Sequence, residues 1–292
     1  MRAEPPPRRA PAPSPLAAWL TAPATWRLLV SVLLLALGIG LGLGWAAARL
    51  GQGDHLSVGN TGGSLSTLIR VSGKTIVVGG SASVDDLAEF VDRTTLPWQR
   101  HIHLLVVPAD DELAMGALAL VERGGVGAVA VLGLPGNDPV WTRLERAASD
   151  HGIEHRYLTG AHRVPLSDGS DLLLAAPAPD DARGGARALL RHGQVRVRIA
   201  GPGASPDDHG VTGEPATALI QVLAVDAAPQ SPVPVVVRPH AERAGTLAPD
   251  PPAARFVTEI ARGDRISISL ERDTLRLPSD ALRPVAQPTV SD

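Results

Sequence analysis

The feature that most restricts how this chain folds is an uncharged apolar segment near its N-terminus, residues 28–48, with the sequence LLVSVLLLALGIGLGLGWAAA. A helix rises about 1.5 Å per residue, so this segment can cross the roughly 30 Å hydrocarbon core of a bilayer. Trp26 and Trp45 lie near its ends, where amphipathic rings favour the membrane interface. The sequence therefore predicts a transmembrane signal anchor over residues 26–49, with membrane contact through residues 27–49.

The residues before this segment predict its orientation. Residues 1–25 are rich in Pro, Ala and Arg and show no hydrophobic periodicity, so we expect a disordered cytoplasmic tail. Their Arg residues favour a cytoplasmic N-terminus and place the chain after Arg49 outside the cytoplasm. A cleaved signal peptide is the alternative, because residues 46–48 are three alanines that resemble a cleavage site. The apolar run exceeds the usual ~7–15 residues of a signal peptide, which favours the anchor.

Two glycines within the apolar segment bear on association between chains. Gly40 and Gly44 have the spacing of small residues that lets two membrane helices approach closely, so a homodimer through them is one candidate interaction. The same spacing occurs in many monomeric spans. The spacing is therefore compatible with a dimer but does not require one.

The remainder of the chain shows alternating strand and helix patterns. After a polar linker at residues 50–57, we predict one domain over residues 58–278 and a flexible Pro-rich tail at residues 279–292. Mixed strands flanked by helices predict a layered α/β sandwich. The predicted helices are 85–94, 111–123, 138–151 and 251–262, and the predicted strands are 65–71, 75–78, 103–107, 127–132, 164–166, 171–175, 186–192, 195–200, 218–225, 234–237, 265–270 and 274–277.

Composition excludes several classes of function. Lys and Arg number 27 against 30 Asp and Glu, so the chain lacks the positive field that general nucleic-acid binding requires. The absence of Cys excludes disulfides, thiolate zinc sites and a cysteine nucleophile. The sequence contains neither a G-x-S-x-G nucleophile elbow nor a Walker phosphate-binding loop.

Residues 58–60, 68–80, 103–118 and 191–202 follow patterns that resemble the metallo-β-lactamase family, and within it the periplasm-side domain of the bacterial DNA-uptake channel protein ComEC. Residues 58–60 and 68–80 resemble the family pattern V-G-Q-G-D…L-I-R…G-K…I-D-G-G. Residues 103–118 resemble I-D-L-L-V-L-S-H-x-D-x-D-H-x-G-G-L, and residues 191–202 resemble a hairpin that ends in T-G-D. The resemblance implies a degenerate αββα sandwich behind the membrane helix.

The resemblance also implies where a metal centre would lie, and this chain departs from the family there. The family holds one or two zinc or manganese ions with His and Asp side chains at strand ends. The corresponding positions of this chain carry only one ligand-type residue, Asp111, whereas a catalytic zinc needs about three protein ligands. We therefore predict no catalytic residue, no bound metal and no cofactor. The positions are Val78, Ala109, Asp111, Leu113, Ala114 and Pro202.

Other polar groups could in principle rebuild a site. His101 and His103 have the alternating spacing of ligands on one strand face, but they begin their strand, opposite the end where the family binds metal. The acidic residues 110–112 could hold Ca²⁺ or Mg²⁺, yet such a cluster more often favours a helix N-terminus. His151 and His155, and the loop residues 207–209, are more simply interpreted as surface groups.

Arginines are concentrated in one part of the predicted domain, at Arg187, Arg191, Arg196 and Arg198. Arg196 and Arg198 lie on one face of a predicted strand and are candidate contacts for a phosphate or an acidic partner. Charged residues also protect the edges of sheets from pairing, which is the plainer interpretation.

Three functional hypotheses follow. The first is a single-pass protein of a bacterial cytoplasmic membrane whose C-terminal domain lies outside the cytoplasm. It would be a pseudoenzyme that acts by binding or scaffolding, with an envelope protein as a candidate partner. The second is an active metal-dependent hydrolase of the phosphodiesterase or nuclease class, which would use zinc or manganese with Asp111 and atypical ligands. The third is a structural envelope domain without a ligand.

Overall fold

The structure is a computed structural model that describes residues 26, 28, 30–40, 53–167, 169–177, 187–200, 218–221, 235–240, 256–271, 274–276, 278 and 283–284. The chain divides into two compact units, Met1–Gly51 and Gln52–Asp292. The described part of the first unit is helical. Among the residues that the structure describes, no helix combines the length and the apolar character needed to cross a membrane. The predicted anchor is described only in part: Gly40 lies within that part and Gly44 outside it.

The first sheet of the second unit has eight strands in the order β15-β14-β1-β2-β3-β4-β5-β6. Its central strands β3, β4, β5 and β6 run parallel, whereas β1, β2, β14 and β15 are joined by antiparallel pairing. The strands are β1 (His55–Asn60), β2 (Leu65–Val71), β3 (Lys74–Val78), β4 (Leu104–Pro108), β5 (Ala128–Leu132), β6 (Glu154–Leu158), β14 (Arg265–Leu270) and β15 (Leu275–Arg276).

The second sheet also has eight strands, in the order β16-β13-β12-β11-β10-β9-β8-β7. Strands β10, β11, β12 and β13 run parallel, and the hairpins β7–β8–β9–β10 are antiparallel. The strands are β7 (Ala161–Ser167), β8 (Ser170–Ala175), β9 (Arg187–His192), β10 (Val195–Ala200), β11 (Ala218–Gln221), β12 (Val235–Pro239), β13 (Phe256–Ile260) and β16 (Arg283–Pro284).

Three helices, α1 (Val84–Thr94), α2 (Ala114–Arg123) and α3 (Pro139–Asp150), cover the outer face of the first sheet. Alternate residues of its apolar strands point to opposite faces, so Val77 and Leu105 contact the helices. Val78 and Val106 instead belong to the core shared with the second sheet. Both faces of β3, β4 and β5 are buried, and this explains why these strands consist mainly of consecutive apolar residues. The described residues therefore form three layers: helices, the first sheet and the second sheet.

The structure confirms most of the local predictions up to β10, including the hairpin of β2 and β3 around Ser72 and Gly73. The helix predicted over residues 251–262 is wrong, because residues 256–260 form β13, paired in parallel with β12. Val257 and Thr258 are β-branched and buried in this sheet, and pairing with β12 outweighs the helical spacing of the segment.

The linker predicted over residues 50–57 is too long at its end. Strand β1 begins at His55, and Leu56 is completely buried between the sheets. The strand was not predicted because its sequence contains polar residues. One of them, Ser57, is nevertheless buried, and its hydroxyl lies 3.2 Å from that of Ser267 on β14. The ordered part of the domain therefore extends three residues ahead of the boundary predicted at Val58.

Candidate functional site

The described positions that the sequence resemblance predicts to correspond to metal ligands lie where the parallel strands β3 and β4 end, a region that we call the mouth. Val78 ends β3, and Leu113 immediately precedes α2; each is 5% exposed and belongs to the core between the sheets. Ala114, the first residue of α2, is completely buried in the cluster between the helices and the first sheet, and Ala109 packs against the same cluster. Pro202 lies outside the described residues. Four of these positions thus carry hydrocarbon side chains.

The backbone of the loop after β3 packs tightly against the start of α2. A Cβ atom added to Gly80 would lie 2.3 Å from the carbonyl oxygen of Leu113, so only glycine fits at this position. The amide of Ser81 donates to that same oxygen at 3.0 Å, and the amide of Gly116 donates to the Ser81 oxygen at 2.9 Å. These contacts join the loop and the helix directly.

A buried group of hydroxyls, which the sequence analysis did not identify, completes this loop. The hydroxyls of Thr61, Ser64 and Ser66 lie 3.0–3.1 Å from the carbonyl oxygen of Gly80. All three residues are at most 2% exposed. Because a buried carbonyl without a partner is costly, their role is to satisfy the backbone of a turn that packing has removed from water.

The two aspartates at the mouth are engaged in local hydrogen bonds. One carboxylate oxygen of Asp110 accepts from the amides of Glu112 and Leu113, at 3.0 and 3.2 Å, and so satisfies donors at the beginning of α2. Asp111 Oδ1 accepts from Trp141 Nε1 at 2.6 Å, and the Trp141 side chain is buried against α2 and the first sheet. Asp111 therefore joins the mouth to α3.

This donor set does not fit a catalytic zinc or manganese ion. The only ligand-type side chain at the corresponding positions is Asp111, one of whose oxygens accepts the indole hydrogen bond. Within the described ranges, no three His, Asp or Glu side chains converge in a way that could hold a metal ion. Metal-dependent chemistry consequently has no support from the side chains described at the mouth.

The paired histidines before β4 also fail as metal ligands. The amide of Thr75 donates to His103 Nδ1 at 3.1 Å, which leaves the hydrogen of neutral His103 on Nε2. The rings of His101 and His103 meet edge to face, with their centroids 4.9 Å apart. Burial, followed by the charges of His101 and Lys74, holds the pKa of His103 below its usual value. His103 thus serves as a hydrogen-bond acceptor for the backbone.

The other histidine pair does not form a joint site. His151 directly follows α3, whereas His155 lies on β6 against Tyr157. Burial lowers the pKa of His155, and the opposing charge of Glu145 raises it to a smaller extent. The Tyr157 hydroxyl donates to Glu145 at 2.6 Å, so this group is occupied by a contact with α3. Residues 207–209, the loop considered with them, lie outside the described residues.

The arginines of the second sheet have partners of their own. Arg191 makes two hydrogen bonds to the Asp171 carboxylate, at 2.8 and 2.9 Å, and these bonds hold the pKa of Asp171 below its ordinary value. Arg196 donates to the carbonyl oxygen of Gly193 at 2.6 Å, and Arg198 is 8% exposed. An anion contact through Arg196 and Arg198 stays a prediction.

A second polar group, at the opposite end of the sandwich, was missed entirely. It consists of Asp54, Ser170 and His192, which come from three separate parts of the chain. The sequence held one local indication of this group: β8 and β9 were both predicted as strands, and their pairing places Ser170 opposite His192. No motif spacing could have indicated Asp54, because it reaches the pair only through the contact between the sheets.

Comparison with known proteins gives little beyond this geometry. No protein-family model matches the chain, and no curated protein matches it. Among solved structures, Zn²⁺-bound PqqB from Methylobacterium extorquens is 14% identical and has a TM-score of 0.38, with 57% of this chain and 70% of that chain covered. The metallo-β-lactamase fold protein YhfI from Bacillus subtilis is 10% identical and has a TM-score of 0.43, with 65% and 89% covered. Similarity this low carries no argument about what the chain does.

Proposed function

We propose that the second unit is a degenerate metallo-β-lactamase-type domain that has lost its metal centre and acts by binding or scaffolding. The observation that carries the proposal is the filling of the mouth by Val78, Leu113 and Ala114, which are buried in apolar clusters. A metallohydrolase needs polar ligands that converge on an open coordination position. Here the corresponding side chains contribute to the stability of the fold instead.

The surface around the mouth suits contact with another molecule. Leu134 follows β5 and is 66% exposed, and Val84 begins α1 and is 46% exposed. Val84 follows the end of β3 by six residues and Leu134 follows the end of β5 by two, so both come after the carboxyl ends of the parallel strands that flank β4. Apolar side chains in such positions favour a peptide or another apolar ligand over hydrolysis of a charged substrate.

Metal retention tests the proposal. The purified full chain would be incubated with zinc and, separately, with manganese, and the metal-to-protein ratio would be measured after loosely held ions are removed. We expect a ratio far below one for the wild-type chain, for Asp111→Asn and for Glu112→Gln, an exposed control on the same turn. A ratio near one that falls in Asp111→Asn and persists in Glu112→Gln would overturn the proposal and restore a metal-dependent phosphodiesterase.

We also propose, from the sequence, that residues 27–49 anchor the chain in a bacterial cytoplasmic membrane with the second unit outside the cytoplasm. The uncharged apolar run and the preceding arginines support this topology. An envelope protein and a second copy through Gly40 and Gly44 are the proposed partners. Deleting residues 27–49 should release the protein from the membrane fraction, whereas deleting residues 2–20 should leave it membrane-bound. Release of the intact chain by alkaline carbonate would contradict the anchor.

A further inference from the structure

A cavity of about 590 Å³ lies at the end of the sandwich opposite the mouth. Its wall combines the turns of three hairpins with the residue before β1. Ser72, in the β2–β3 turn, lines this cavity, and Val78, at the mouth, ends the strand that follows it. Strand β3 lies between the two, and its four steps from Lys74 to Val78 cover about 13 Å at ~3.3 Å per residue. The lining residues are Asp54, Ser72, Ser167, Gly169, Ser170, His192 and Gly193.

Ser170 and His192 form a buried pair in the wall of this cavity. They face each other across β8 and β9, and the Ser170 Oγ atom lies 2.7 Å from His192 Nδ1. Each residue is 6% exposed. At this distance the two atoms share a short hydrogen bond.

The neighbouring carboxylate favours one direction of that hydrogen bond. His192 Nε2 lies 3.8 Å from Asp54 Oδ2, and the other oxygen of Asp54 accepts from the Ser72 amide at 2.8 Å. An ionised carboxylate attracts an N–H group and repels a lone pair, so Asp54 favours the tautomer of neutral His192 whose hydrogen is on Nε2. In that tautomer Nδ1 has its lone pair available and the Ser170 hydroxyl donates to it. The serine proton then points at a base.

We propose that Ser170 is the nucleophile of a second site, with His192 as its general base and Asp54 as the residue that positions His192, and that this site accepts small acyl esters. A hydroxyl becomes reactive when an adjacent base takes its proton and a third group orients that base. Such a set is recognised by geometry and roles rather than by order along the chain. A contact of 3.8 Å between base and orienting group is compatible with this role, because catalytic hydrogen bonds are often long without substrate.

The reaction balances with water as the only co-reactant. Ser170 Oγ bonds to the ester carbonyl carbon while its proton passes to His192 Nδ1. The bond from carbon to the alcohol oxygen then breaks, and the departing alcohol takes that proton. Water attacks the acyl-serine with His192 Nδ1 again as base, which releases the carboxylic acid and restores Ser170.

The same three residues also join the two sheets, because Asp54 precedes a strand of the first sheet and the other two belong to the second. A purely structural contact would change stability without making Ser170 reactive. The proposal goes beyond the binding function proposed for the mouth and does not depend on it, since no residue is shared between the two regions.

A fluorophosphonate probe tests reactivity directly on the full chain. Attack by Ser170 Oγ on phosphorus expels fluoride and leaves the probe attached, so peptide mass spectrometry locates the modified residue. We expect modification at Ser170, none in Ser170→Ala, and a rate about 10²–10⁴-fold lower in His192→Gln, the usual effect of losing a general base. Ser149→Ala, which removes an exposed hydroxyl of α3 outside the cavity, should react like the wild type.

Asp54 is tested by conservative replacement, with thermal unfolding measured for each variant. We expect Asp54→Asn to slow modification and Asp54→Glu to restore part of the rate, a difference that a contact serving stability alone would not produce. Hydrolysis of p-nitrophenyl acetate should follow the same order among the variants. An unreactive wild-type chain, modification of Ser72 or Ser167 in place of Ser170, or a rate unchanged in His192→Gln would each overturn the proposal. If His192→Gln does not fold, Ser170→Ala and Asp54→Asn still decide it.

Discussion

Replacing Asp111 with alanine gives the sharpest test of how the mouth is built. The substitution removes the acceptor that lies 2.6 Å from Trp141 Nε1, while the indole remains packed at 3% exposure. Hydrogen bonds to charged groups contribute about 1.5–3 kcal/mol, and a buried donor left without a partner costs about 1–3 kcal/mol. Asp111 itself is exposed, so water can replace part of the lost bond. We therefore expect a loss of about 1–2 kcal/mol in the free energy of unfolding.

Urea unfolding followed by tryptophan fluorescence measures this loss. With a urea dependence of about 2 kcal/mol per M, the midpoint should fall by about 0.5–1 M. Asp111→Asn keeps an acceptor oxygen at the same place and should lose less than half as much. Glu112→Ala, an exposed neighbour, should stay within about 0.5 kcal/mol of the wild type.

An unchanged midpoint in Asp111→Ala would refute the reasoning, because it would show that the carboxylate does not hold Trp141. Equal losses in the alanine and asparagine variants would refute it as well, since the oxygen acceptor would then be irrelevant. Either result would free Asp111 for another role. Loss of a phosphodiesterase activity in the same variant would then identify that role as catalytic.

Three further predictions concern packing and pH. Gly80→Ala should lower the free energy of unfolding by about 2–3 kcal/mol because its Cβ would meet the Leu113 carbonyl oxygen, while Gly53→Ala, with open space around it, should be nearly neutral in the same urea titration. The pKa of Asp171 is lowered by Arg191, so the ionised carboxylate stabilises the fold above the ordinary value of 3.8 and this stability is lost as the pH falls through the folded value. Denaturation at decreasing pH should thus show a steeper loss in the wild type than in Asp171→Asn. Burial lowers the pKa of His103, so the folded chain resists its protonation and should lose stability as the pH falls below the ordinary value of 6.5; an NMR titration that gives His103 a pKa above 6.5 would contradict this.

Much of the first sheet and its helices was predictable because the signals are local. Strands β3, β4 and β5 are apolar runs buried on both faces, and α1 and α3 carry an apolar stripe at helical spacing. The prediction that the mouth lacks a set of metal ligands likewise came from comparing residue types with a family motif. Each inference needed only neighbours within a short stretch of chain.

The remaining features depend on partners far away in the chain. Strand β1 is stabilised by β14, with His55 opposite Ser269, and β13 owes its extended form to β12. Neither pairing can be recognised from the hydrophobic pattern of the segment itself, so β1 was predicted as a linker and β13 as part of a helix. Strand formation in such segments is decided by pairing and burial more than by the preferences of single residues.

The amino-acid sequence by itself determined the apolar N-terminal segment and most of the alternating elements up to β10, because these are properties of residue type and spacing. Only the tertiary structure decided what the surviving polar groups do. It directs Asp111 toward Trp141, and it brings Asp54 to the Ser170–His192 pair from more than a hundred residues away in the chain. The chemistry of a side chain depends on which atoms it contacts, and these contacts form only when the elements of the fold pack together.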